Sequence, residues 1–249
     1  MNNDKEGTVQ HWKSILMNKI EELSGTVIGS KEISQELKVE ILNPLIEARN
    51  KCVQIDLRQE DHLDLLRGQW TTVYAQYGSG VIPTKLRYIS FGSLKGDTNI
   101  SLVESNQEIE PEEKSYNNVL IVESSATDTT SKKAYCIIYG RYVVEQTIDI
   151  KQGDDEDDDD SDETNEEKER RTGPYQGLNV SFYRVELRPM VTPENDEEWM
   201  VFRKAFGLKE DEPLSVDLHP SKKQQTDAVF LDVDTRVMYG LSGGVYVMK

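Results

Sequence analysis

The chain has 249 residues, 36% of them hydrophobic and 30% charged, with a formal net charge of -17. That is enough for one large barrel or two small domains. The acidic balance argues against a broad basic surface for nucleic acid and against binding anionic membranes by charge alone.

The N-terminus, residues 1–7, is polar and shows no signal peptide or organellar transit peptide, and no segment approaches the roughly 18 apolar residues of a membrane span. Val9, Trp12, Leu16, Ile20 and Leu23 recur at three- and four-residue steps, predicting a helix that stops at Gly25. A second stripe, Ile33, Leu37, Ile41 and Leu45, follows Ser30 as a candidate N-cap, with Pro44 expected to kink or break it. Residues 59–66 form a short third helical segment. Residues 8–66 thus read as a helical segment packed on a β domain of residues 67–249.

From Gly68 the pattern changes to β-branched and aromatic residues. Strand-like runs cover residues 70–74, 86–94, 99–103, 116–123, 133–145, 178–187, 214–218, 228–239 and 244–248, with an added piece at 147–150. Trp199, Phe202, Arg203 and Phe206 instead fit a short amphipathic helix near residues 197–206. Val180 and Phe182 share one parity while Val185 and Leu187 share the other, so a β-bulge near Tyr183–Arg184 is expected. Leu231, Val233, Val237 and Tyr239 form one face of the late strand, with Asp232, Asp234 and Arg236 on the opposite face. The fold class is mainly β, an antiparallel meander of about eight strands closed into a barrel, with the last strand pairing the tryptophan strand.

Residues 154–169 hold twelve acids and one lysine, which is -11 of the net charge. This run reads as a disordered acidic loop, residues 153–172, inside the β domain. A basic protein is its candidate partner. Cys52 and Cys136 are too few and too far apart for a disulfide scaffold or a cysteine zinc site. His11, His62 and His219 have no metal-ligand spacing, and no catalytic constellation is present, so the chain reads as no enzyme, without cofactor or metal.

Three stretches carry a family resemblance. Leu66-Arg67-Gly68-Gln69-Trp70-Thr71-Thr72-Val73-Tyr74 resembles the entry strand of the plastid lipid-associated proteins, or fibrillins. Residues 179–189, Asn-Val-Ser-Phe-Tyr-Arg-Val-Glu-Leu-Arg-Pro, resemble that family's late strand. Residues 230–237, followed by Gly240 and by Gly243-Gly244-Val245-Tyr246-Val247, resemble its ending. Val233, Thr235 and Tyr239 depart from that ending, and the acidic run is an insertion. The resemblance implies a lipocalin-like barrel with N-terminal helices. It also implies residence at plastoglobules or thylakoids and binding of isoprenoids, quinones, carotenoids or a lipid surface.

An eight-stranded barrel is about wide enough for one small ligand. Burying ~300 Å² of apolar ligand would contribute roughly 7 kcal/mol before association costs. The candidate ligand-binding residues are Trp70, Tyr74, Val233, Val237 and Tyr239, although Trp70 reads more simply as a plug at the closed end. Asp232, Asp234 and Arg236 are a polar cluster on the closing strand, either orienting a ligand head group or, more simply, forming a structural ion-paired face. The alternatives to a carrier are a structural coat or assembly factor acting through protein contacts and, further off, a bilin-chromophore lyase.

Overall fold

The computed structural model describes residues 3–22, 55–76, 100–124, 132–146, 176–218, 224–240 and 245–249. Within them lie helices α1 (Asn3–Glu22), α2 (Glu60–Asp64) and α3 (Asp196–Ala205). The strands are β1 (Gly68–Gln76), β2 (Ile100–Glu110), β3 (Ser115–Ser124), β4 (Lys132–Gln146), β5 (Gln176–Pro189), β6 (Ser215–Asp217), β7 (Gln224–Leu231), β8 (Arg236–Gly240) and β9 (Val245–Met248). The second helical stripe, the strand expected at 86–94, the piece at 147–150 and the acidic run lie outside the described residues.

Among the described residues the protein is mainly β, with nine antiparallel strands in one sheet. Their order is β4–β3–β2–β1–β9–β8–β7–β5–β6, and β4 pairs with β5 as well. Among the described residues every strand except β6 therefore has a hydrogen-bonded neighbour on each side, which leaves few unpaired backbone groups. The last strand does join the tryptophan strand. Tyr74 stands opposite Val247, and Thr71 and Lys249 exchange backbone hydrogen bonds of 2.8 and 2.9 Å.

Register defines two faces. Trp70, Gln107, Asn118, Ile138 and Val185 stand opposite one another in a row across β1 to β5. This is the core face. Near its centre it buries Trp70, Ile109, Tyr116, Tyr142, Leu178, Val180, Phe182, Met238 and Met248, over which Leu57 and Leu66 close. Toward the other end it buries Ile100, Val122, Ala134, Cys136, Val185 and Leu187 beneath Phe202, Ala205 and Phe206 of α3. The opposite face is covered near β1, β8 and β9 by α1, where Leu16 and Ile20 pack on Tyr74, Val237, Val245 and Val247.

The expected bulge is present. Tyr139 opposes Arg184 and Gly140 opposes Phe182, leaving Tyr183 as the extra residue. Val180, Phe182, Val185 and Leu187 consequently share the core face and are all buried. The short helix is also present at Asp196–Ala205. Asn195 caps it by accepting from the Glu198 amide at 3.0 Å, and acids crowd its first turn.

One expectation fails. The single strand at 228–239 is two strands, β7 and β8, joined by the turn Asp232-Val233-Asp234-Thr235. Asp232 builds that turn. Its Oδ1 accepts from the amides of Asp234 (3.0 Å) and Thr235 (2.8 Å), while its own amide donates to the Thr235 carbonyl at 2.9 Å. Aspartates that hydrogen-bond the backbone ahead of them are turn formers, and that local chemistry outweighs the strand-like alternation. Helix α1 begins at Asn3, ahead of the apolar stripe that opens at Val9.

Candidate functional site

The turn at 232–235 sets the facing of everything after it. Arg236 opens β8 opposite Leu231 and Met248, on the core face beside Met238. It is 1% exposed. Its Nη1 donates to Gln107 Oε1 at 3.0 Å, and its guanidinium lies 5.7 Å from the centre of the Tyr116 ring. Among the described residues its Nε has no hydrogen-bond partner and no carboxylate comes within ion-pair distance of it.

Burial pulls the Arg236 pKa down, and the nearby Tyr116 and Tyr142 phenols oppose the fall. A guanidinium remains cationic regardless. Burial pushes the Tyr116 phenol up, against the influence of Arg236 and Gln107. Tyr142, also raised chiefly by burial, reaches about 12. Its hydroxyl is a second buried polar atom without a partner. Asn118 Oδ1 and Thr226 Oγ1 are two more. Asn118 stands opposite Gln107, and Thr226 stands opposite Leu178. All four unpartnered atoms among the described residues therefore belong to the core face. A buried, unpaired cation costs several kcal/mol in general. Here the cation is held by the Gln107 amide and the Tyr116 ring in a largely apolar part of the core.

The sequence-predicted residues scatter. Trp70 is on the core face, buried among Leu57, Leu66 and Ile109, and its indole donates to the Leu66 carbonyl at 2.8 Å. Tyr74 is not on that face. The register shifts between Thr72 and Tyr74, which turns Tyr74 toward α1, and burial lifts its phenol to about 12. Val237, fully buried, likewise faces α1. Val233 sits in the turn and is 83% exposed. The side chain of Tyr239 lies outside the described residues.

The trio Asp232, Asp234 and Arg236 does not share a face. Lys13 of α1 reaches the two aspartates, 2.8 Å from Asp232 Oδ2 and in contact with Asp234 as well, so they anchor the helix. That contact, led by the Lys13 hydrogen bond, holds the Asp234 carboxyl down at about 2. Arg236 alone turns to the core face. The aspartates pair with Lys13, whereas Arg236 has no ion pair among the described residues.

Sequence reasoning missed Gln107 and Tyr116, which contact Arg236, and Asn118 and Tyr142, which carry unpartnered polar atoms. Tyr142 lies in the strand-like run at 133–145, which marks it as a strand aromatic and nothing more. Gln107 lay in the polar stretch 104–108, which gave no signal of a core-facing amide. Its position opposite Trp70 reveals it. Among the described residues no group of three or more metal-ligating side chains occurs, and no helix is long and apolar enough to cross a membrane. Neither protein-family models, nor curated proteins, nor solved structures match the chain.

Proposed function

We propose that this chain is a lipocalin-like barrel carrying a hydrophobic small molecule, and that it is a fibrillin-like protein of plastoglobules or thylakoids. Isoprenoids, quinones and carotenoids are the ligand classes that the motif resemblance implies. The barrel reading is supported by the pairings, which run β1–β2–β3–β4–β5–β7–β8–β9 and return to β1. A sheet paired in this way turns one face inward. The observation that carries the ligand reading is the composition of that face: largely apolar, yet holding four polar side-chain atoms that no described protein group satisfies. Buried polar atoms are nearly always paired, and convergent polar groups in an apolar enclosure are how small-molecule sites are built.

Organic extraction of the purified protein, followed by absorbance and mass analysis, tests it. A stoichiometric apolar molecule is the expected result. A second reading, a structural coat or assembly factor, is favoured by the bulk of Trp70, Tyr116, Tyr142, Phe182 and Arg236 on the core face. Extracts free of any apolar molecule, from protein that still floats with lipid droplets, would replace the carrier by the coat.

A further inference from the structure

We infer that the outer face of β1, β9 and β8 is a helix-docking seat, filled by α1 within one chain and by α1 of a second copy when two chains exchange helices. The inference is independent of any interior ligand. The seat is a continuous row. Tyr74 stands opposite Val247 and Val247 opposite Val237, with Val245 beside them on β9. Val237 and Val247 are fully buried, and Val245 nearly so. Ahead of Val237 in the chain, the turn between β7 and β8 presents Asp232 and Asp234. α1 answers with three residues of one helical face, Lys13, Leu16 and Ile20, spaced three and four apart. Leu16 and Ile20 lie on the apolar row, and Lys13 pairs with both aspartates. Seat and helix therefore match in apolarity and in charge, which is how an amphipathic helix is recognised in a groove.

The attachment is lopsided. Four side chains of the seat are buried, yet within residues 10–22 of α1 only Leu16 and Ile20 are. α1 is the first described element and belongs to no ladder of the sheet, so it can lift away with every strand pairing intact. Lifting it uncovers Tyr74, Val237, Val245 and Val247 together, and a contiguous apolar patch marks an interaction site. The helix complementary to that patch is α1 itself. A second copy supplies the same Lys13, Leu16 and Ile20, and its vacated seat receives the first copy's helix. An exchange of this kind closes on itself as a two-fold dimer. Docking within a chain and between chains uses the same contacts, so protein concentration sets the balance between them.

The test uses full-length chains with matched charge reversals. Lys13→Glu gives a helix that its own seat repels. Asp232→Asn combined with Asp234→Lys gives a seat that repels its own Lys13, and the asparagine keeps an Oδ1 acceptor for the turn amides. Only exchange between the two variants restores attraction at both contacts. Donor- and acceptor-labelled variants mixed together should show heterodimer energy transfer at a concentration about tenfold lower than either variant mixed with itself. Combining all the substitutions in one chain should return the concentration dependence to that of wild type. Variants that are folded by circular dichroism yet give no more transfer when mixed than alone overturn the exchange. A dimer whose concentration dependence ignores every substitution lies elsewhere and overturns the role of the seat. Binding of Lys13→Glu to phosphatidylcholine vesicles without heterodimer formation assigns α1 to lipid and overturns the second copy as occupant. Should a variant fail to fold, wild type titrated with a labelled peptide of residues 3–22 decides. Saturable binding, weakened about tenfold in the Leu16→Asp peptide, supports docking between chains; no binding overturns it.

Discussion

A methyl group added at Gly140 probes the packing on which the core face depends. A Cβ there would stand 2.6 Å from the Tyr116 carbonyl oxygen and 2.9 Å from the Phe182 ring. Gly140 and Phe182 are opposed at the bulge, so the strands lack slack at that point. The ring edge can retreat by rotation, but the carbonyl is backbone of β3 and moves only with its ladder. Overpacking of this kind costs about 1–3 kcal/mol, and a backbone clash belongs in the upper half, about 2–3 kcal/mol. For a chain of this size each kcal/mol shifts the melting temperature by about 2–4 °C. Gly140→Ala should therefore melt roughly 4–12 °C lower, with a lower urea midpoint and an unchanged denaturant slope. In a double-mutant cycle, Phe182→Leu should be less damaging in the Gly140→Ala background than in wild type, because it relieves one of the two clashes. A Gly140→Ala protein within about 0.5 kcal/mol of wild type would refute the reasoning, since two contacts below 3 Å cannot be accommodated without movement.

Other expectations follow from the same contacts. Lys13→Ala removes the cation shared by Asp232 and Asp234 and should lower stability by about 1 kcal/mol, given the partial exposure of the aspartates. The difference from wild type should shrink in acid. The Asp234 contribution is present above the ordinary carboxylate value and is lost as pH falls toward about 2; a difference constant down to that range contradicts the ion pair. Truncation after Gly240 deletes β9, whose Val245, Val247 and Met248 are buried between β1 and β8. Burial of three such side chains is worth roughly 6 kcal/mol, comparable with the whole stability of many domains, so the truncated chain should lack a cooperative urea transition. Tyr74 and Tyr142 titrate near 12 in the folded protein, above the unfolded value of about 10. Their contribution is intact below about pH 10 and disappears as pH rises to about 12, at up to about 1.4 kcal/mol per pH unit for each. Urea midpoints that do not fall between about pH 9 and pH 11.5 would contradict their burial.

The sequence by itself determined the antiparallel β character, the start of β1 at Gly68, the runs that became β3, β4 and β5, and α3. It also determined the bulge at Tyr183, because the switch in apolar parity between Phe182 and Val185 has no other economical solution. These features are local: they follow from side-chain period and from the residues at their ends. What only the tertiary structure decided is the facing of the C-terminal hairpin. Asp232-Val233-Asp234-Thr235 alternates polar and apolar like a strand, and only its hydrogen bonds mark it as a turn. The alternation rule also assumes that one face of a sheet is buried. Here α1 covers the other face over β1, β8 and β9, so Tyr74 and Val237 are buried there. Arg236 is buried on the core face by partners 129 and 120 residues earlier in the chain, Gln107 and Tyr116. No pattern along the chain encodes contacts at that separation. They are set by strand register, and register is settled only when every strand has found its neighbours.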